Sequence, residues 1–234
     1  FFLNYSKQHH DENLKKIIKR NINGISKISS DRLIDELKKL FLTSGFLKLT
    51  KDKFCQEIIS LIFPQLINIS IFQNTNDHSK KIIEQKDFIF LISLMIIDST
   101  DNSEYFIYKY NISNEDKKRI RFLSNIYSKN LDKDLFKEKN LWKIFYFNGK
   151  NSLIDLINFQ IFQNKKLDKK LIQLKNFFNN QEVPQLEIGA KTLIEKFNYK
   201  EGKELGNKLK EIEQFWIENS FKITDQELNK IVKN

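Results

Sequence analysis

Two prolines and six glycines in 234 residues leave this chain with too little punctuation to be cut into many short strands. An all-β fold needs frequent tight turns, and those turns draw on glycine and proline. The same poverty suits helices joined by polar loops, so an all-α fold is expected. Hydrophobic residues make up 40% of the chain and charged residues 30%. That balance lies far from the signature of a disordered chain, and a buried core follows.

Hydrophobic period and capping residues place the helices. Residues 11–21 read as a short basic helix that Gly24 ends. In ISSDRLIDELKKLFLTSG, Ser29 or Ser30 can cap, Asp31 favours the positive helix start, and Leu33, Leu37, Leu40 and Phe41 share a face before Gly45 closes it. Thr50 opens KDKFCQEIISLIF, which stops before Pro64 because the ring blocks continuation. A polar loop over 74–79 leads to an apolar helix over 88–97. Ser113 and Asp116 approximate a capping box at the head of NEDKKRIRFLSNIY. Two or three helices fill 136–179, with SLIDLINFQIF and KKLIQLKNFF the clearest. The polar break NNQEVPQ at 179–185 is the sharpest boundary. Beyond it Leu205, Leu209, Ile212 and Trp216 form the stripe of one long helix, and Thr224 with Glu227 boxes a last short one. No internal repeat at solenoid spacing is present.

The most apolar run, 88–97, has ten residues where a spanning helix needs about 20, so no membrane partner is expected. The single cysteine, Cys55, sits in the apolar stretch FCQEIISLIF with no histidine near it in sequence. It reads as a buried structural thiol, and the lack of a second cysteine fits a reducing, cytoplasmic setting. Asp132 and Asp134 have the spacing of a carboxylate pair that holds divalent ions for nucleotidyl transfer. They lie in LDKDLF between helices, without the strand end and glycine-rich loop such a pair needs, and read as a solvated cluster at a helix start. His10-Asp11 has only His9 and His78 for company, too few for a phosphohydrolase metal site. No catalytic residue, metal or cofactor is expected within this chain. Met95 is the only methionine, so residue 1 is not an initiator and a preceding segment is expected.

The formal charge is +10 and the isoelectric point near 9.4, which points toward an anionic partner. Lysine, asparagine, isoleucine and phenylalanine are abundant together, a mix that an AT-rich genome imposes on any protein, and this weakens the signal. Lys117, Lys118, Arg119 and Arg121 follow a helix start, and spacing puts Lys117, Lys118 and Arg121 near one face. Lys165, Lys166, Lys169 and Lys170 form a second cluster, and Lys38 with Lys39 a third. Taken alone, each cluster reads as a solvated helix face.

Two segments carry a resemblance. In GISKISSDRLIDELKKLF, Ser29, Arg32, Glu36, Leu37 and Lys39 resemble the neck motif of class II CCA-adding tRNA nucleotidyltransferases and bacterial poly(A) polymerases, with Asp31 in place of the usual glutamate. FFLNYS is similar to the end of the helix whose upstream arginines help that family select the incoming nucleotide. At the far end, Pro184, Gly189, Leu193, Gly202, Gly206, Leu209, Glu213 and Trp216 resemble the family's tail. Thr192 stands there for a commoner acid, and Lys203-Glu204 for a frequent proline. YNISNEDKKRI fits the middle in order and length. Apart from the family, Gly202 and Gly206 read as sites of close helix approach, Trp216 as core and Glu213 as a cap.

The resemblance implies an elongated multi-helix array: neck over 1–44, body over 45–180 and tail over 181–234. It implies a missing N-terminal catalytic head, in which Mg2+ with CTP and ATP would serve CCA addition. The partner it implies is tRNA, gripped at acceptor stem and elbow by duplex shape and phosphate position. The RNA-binding residues would be Arg32, Lys38 and Lys39 of the neck, Lys117, Lys118 and Arg121 of the body, and Lys203 and Lys208 of the tail. The same portion of a poly(A) polymerase is an alternative, which the compact tail disfavours. A non-catalytic helical scaffold or RNA-binding module is another.

Overall fold

The structure, a computed structural model, describes residues 11–43, 45–73, 75–128, 133–164 and 168–233. Among them all regular structure is helical and no strand occurs, as the scarcity of turn residues requires. The chain divides into two compact units, one of residues 1–132 with 154–177 and one of residues 133–153 with 178–234.

The first unit contains α1 (Glu12–Asn21), α2 (Ser30–Leu42), α3 (Gly45–Leu49), α4 (Lys53–Ile62), α5 (Asp77–Glu84), α6 (Phe88–Ile96), α7 (Asn102–Lys109) and α8 (Asn114–Ser128). It also takes the end of α9 (Glu138–Gln163) and most of α10 (Lys169–Asn179). Its centre is α6, FIFLISLMI, where every residue from Ile89 to Ile96 is buried. A helix apolar all round has no face to offer water and must be enclosed. Enclosure obliges the protein to satisfy the helix ends. The Asp87 carboxylate accepts the Phe90 N–H at 3.1 Å. At the other end the Asn68 N–H donates to the Met95 carbonyl at 3.1 Å, and the Asn102 amide donates to Ile96 and Gln65 carbonyls at 2.8 and 2.9 Å. Around this rod, Phe41 stacks on Phe46 at 4.3 Å and meets Phe88 edge-on at 5.5 Å.

One cation ties three helices of this unit together. Arg119, on α8, donates to both oxygens of Asp87, at 3.0 and 2.5 Å, and to both oxygens of Asp155 on α9. The Asp155 side chain is 7% exposed. Burial pushes its carboxyl up, against the pull of Arg119, so attraction does not fully offset the loss of hydration. Burial also works against the Arg119 charge, but the hydrogen bonds it donates to Asp155 and Asp87 raise its pKa above the ordinary value.

Several boundaries differ from the sequence reading, each for a local reason. α1 ends at Asn21, and Gly24 falls inside a 3-10 turn, Ile22–Lys27. Gly45 begins α3 and does not close α2, which ends at Leu42 with Thr43 as its cap. Asp52, not Thr50, caps α4, taking the Cys55 N–H at 2.9 Å, while the Thr50 hydroxyl donates back to Leu47. The loop expected over 74–79 gives way at Asp77 to α5, capped by Asn76 through the Ser79 N–H at 2.9 Å, while Asn74 lies outside the described residues. α5 buries little beyond Ile82 and Ile83, so its apolar period is faint in sequence. α7 is likewise an addition to the expected set.

The second unit holds the start of α9 with α11 (Ala190–Phe197), α12 (Lys203–Glu218) and α13 (Asp225–Lys233). Gly149, at φ +79°, breaks α9 into two helical pieces. The expected stripe of α12 is present: Leu205 and Ile212 join Leu193 and Leu228 in the core, with Leu209 packed beside them. Trp216 is buried, as expected, edge-on to Phe221 at 4.9 Å and to Tyr146 at 5.5 Å. Phe221 sits at φ +61°, a strained conformation for a bulky residue, which its ring contacts offset. Glu213 is not a cap; it accepts the Tyr146 hydroxyl at 2.5 Å. The glycines do not serve close packing either, since a Cβ at Gly202 or Gly206 would meet nothing within 4 Å. Gly202 is required by its φ of +149°.

The Arg119 clamp predicts that Arg119→Met lowers stability by about 3 kcal/mol in urea titration, because two carboxylates lose their partner and one is buried. A loss below the error of the titration would remove the clamp from the account. The last helix makes a separate pH prediction. Thr224 gives its N–H and its hydroxyl to Glu227, both at 2.8 Å, and these hold the exposed Glu227 carboxyl below its ordinary value of 4.5. A folded pKa below the unfolded one contributes stability above the unfolded value, lost as pH falls through the folded value. The urea midpoint of the parent protein should therefore drop more steeply than that of Glu227→Gln between about pH 5 and 3.

Candidate nucleic-acid interface

The basic cluster of α8 is oriented by its own start. The Ser113 hydroxyl donates to Asp116 at 2.8 Å and accepts the Asp116 N–H at 3.2 Å, the expected box. From that start Ile120 and Leu123 turn into the core and Arg119 turns toward Asp87 and Asp155. Lys118 is exposed and Lys117 half-buried, and neither ammonium has a hydrogen bond or ion pair among the described residues. Arg121 is differently placed. It makes a two-pronged bridge to Glu104 on α7, 2.7 Å on each prong, which holds the Glu104 carboxyl below its usual range and raises Arg121. Its charge therefore meets a carboxylate before any outside anion.

The neck-like residues sit on α2. Ser29 caps the helix by accepting the Arg32 N–H at 3.4 Å, and the Arg32 side chain is exposed. Lys39 is bonded to Glu36 at 2.8 Å. Lys38 holds its ammonium 5.7 Å from the centre of the Phe88 ring, a cation–π placement that leaves its positive end without a carboxylate. Phe88 is the first residue of α6 and Asp87 its cap. Lys38 on α2 and Arg119 on α8 are thus fastened to the same end of α6, although they lie 81 positions apart in sequence (119 − 38 = 81).

In the second unit Lys203 is exposed at the first position of α12. Lys208 points inward: its side chain is 15% exposed, and its ammonium donates to the Ile231 carbonyl at 2.9 Å and pairs with Glu211 at 2.8 Å. It serves the carbonyl end of α13, a favourable place for a cation. Of the lysines at 165–170, Lys169 and Lys170 are exposed at the start of α10, and Lys165 and Lys166 lie outside the described residues.

Groups with catalytic potential are placed otherwise. Cys55 is half-buried, and burial with the nearby Asp52 pushes its thiol up to about 12, where it is not a nucleophile at neutral pH. Asp134 bridges to Lys137 at 2.8 Å, while Asp132, His9 and His10 lie outside the described residues. Asp11 caps α1 through the Leu14 N–H at 2.6 Å. Among the described residues no group of three or more His, Cys, Asp or Glu side chains is placed to hold a metal, and no helix is long and apolar enough to cross a membrane.

The inward role of Arg119 had no signal in local spacing, because its partners lie 32 to 36 positions away; for Lys208 the spacing offers Glu211 three residues on, but not the Ile231 carbonyl 23 positions away that turns it inward. Lys208→Met is expected to cost roughly 1.5 kcal/mol in urea titration, the worth of a hydrogen bond to a charged group, and to change RNA affinity less than about twofold. A large affinity loss at unchanged stability would reverse that assignment.

No family model matches the chain, and a search of curated proteins finds no relative.

Proposed function

We propose that this chain grips tRNA, as the RNA-binding helical portion of a CCA-adding tRNA nucleotidyltransferase. The observation that carries the RNA reading is a difference among the cations of the first unit. Arg119, Arg121 and Lys39 are paired with carboxylates, whereas Lys38, Lys117 and Lys118 are not. These unpaired ammonium groups stand on two helices fastened to one end of α6. Such an arrangement suits a row of phosphates, and a rigid helical support fixes the spacing at which they are met. A helix does not enter the deep, narrow major groove of A-form RNA, so binding of this kind reads backbone shape and leaves sequence unread. In this reading the bonds to C, C and A are made by a separate head, and the present chain holds the substrate in register for it. The resemblance of Ser29, Arg32, Glu36, Leu37 and Lys39 to a neck motif, and of the Gly189–Trp216 segment to a tail, supports the finer assignment.

Replacing both Lys117 and Lys118 by glutamate tests this reading. The dissociation constant for tRNA should rise at least about tenfold, and the slope of log affinity against log salt should shrink by about two units, one for each phosphate that no longer meets an ammonium group. The thermal melt should be unchanged, because neither ammonium holds a partner inside the fold. An unchanged constant at low salt would reject the assignment. Equal binding of tRNA and an unrelated acidic polymer by the parent protein would favour a basic scaffold instead.

A further inference from the structure

Beside the basic face of α8 stands a feature with no role in the fold. Tyr108 on α7 is 88% exposed and Tyr105 is 54% exposed. Three positions apart, they are neighbours on one side of the helix. Leaving two large rings in water forgoes the burial that aromatic residues ordinarily gain. Lys109 lies close by, its ammonium 6.0 Å from the centre of the Tyr105 ring and 5.2 Å from that of Tyr110.

The pairing of α7 with α8 sets where Tyr108 falls. Ser103 meets Ser124 at 3.0 Å, and Glu104 meets Arg121, so the two helices run antiparallel. One turn onward along α7 from Glu104 is Tyr108, and one turn back along α8 from Arg121 is Lys117. The register thus sets Tyr108 level with Lys117, next to Lys118. Of the carboxylates close by in sequence, Glu104 is neutralised by Arg121, which leaves Glu115 and Asp116, the latter hydrogen-bonded by the Ser113 hydroxyl, against the three cations Lys109, Lys117 and Lys118.

We infer that Tyr105 and Tyr108 form a stacking platform for unpaired RNA bases, with Lys109, Lys117 and Lys118 meeting the phosphates of the same strand. Alternating rings and cations are what a single strand needs, since every base has a face to stack and every linkage a charge. A duplex, whose bases are already stacked, gains nothing from the rings. The platform rests on the RNA-binding reading and adds to it a preference for an unpaired segment, such as a single-stranded end or an open loop.

The test measures fluorescence anisotropy of a labelled single-stranded oligoribonucleotide and of a blunt RNA duplex with the same number of phosphates, using the full chain. Tyr108→Ala, alone and combined with Tyr105→Ala, should weaken single-strand binding at least about tenfold and duplex binding less than about twofold. Tyr108→Phe should keep parent affinity, because stacking needs the ring and not the hydroxyl. The exposure of both rings predicts unchanged melting for all three variants, and Tyr108→Ala alone suffices where the double variant melts lower. An unaltered single-strand affinity, or an equal loss on both RNAs, overturns the platform and leaves the phosphate grip standing. A parent protein that binds neither RNA overturns both.

Discussion

Arg119 is the interaction on which the first unit depends. α6 is too apolar to face water on any side, so its first turn needs a cap that is itself held inside the protein. Asp87 is that cap, and Arg119 keeps its charge compensated while reaching across to the buried Asp155 of α9. Burial raises Asp155 even beside a guanidinium, and any arrangement that breaks the pair leaves a charge in the interior without its partner. Three helices are thereby set in one register before any aromatic packing is counted.

That register decides which surface charges remain for partners. On α8 a single helix carries an arginine that is wholly internal in purpose, another that braces the neighbouring helix, and two lysines that do neither. The same division holds in the second unit, where Lys208 terminates α13 and Lys203 stays outside. A net charge of +10 is therefore a poor guide to the strength of an anion site, because the cations that stabilise the fold and those that meet solvent count alike in it. The reading as a tRNA grip draws on the second set only. It gains from the fact that the helices carrying them, α2 and α8, are both fastened to one end of α6, through Lys38 and Arg119.

Much of the architecture was legible. Caps that act over three residues, at Ser29, Ser113 with Asp116, and Thr224 with Glu227, are present in the structure, because they depend only on the local chain. The α12 stripe of Leu205, Ile212 and Trp216 is there because helical period is also local. The misjudged points lay where two candidates compete within a few residues. Thr50 and Asp52 can both cap, and the structure uses the Asp52 carboxylate while the Thr50 hydroxyl closes the preceding turn. Gly45 was legible as a break, but small size also suits a buried helix start, and Gly45 is buried. Of the candidate site, the sequence showed where the cations cluster and not which of them were taken by partners inside the fold.

By itself, then, the amino-acid order determined the helical class, most of the element starts, the apolar rod at 88–96 and the absence of a spanning segment among the helices described. These follow from turn composition, period and three-residue capping, all of which act within one or two turns of chain. Only the tertiary structure decided that Arg119 and Lys208 point inward, that Arg121 is taken by Glu104, and that Tyr108 stands bare in solvent. The pairings among those outcomes join groups 17 to 36 positions apart and, like the exposure of Tyr108, are set by helix packing, which is a property of the whole core.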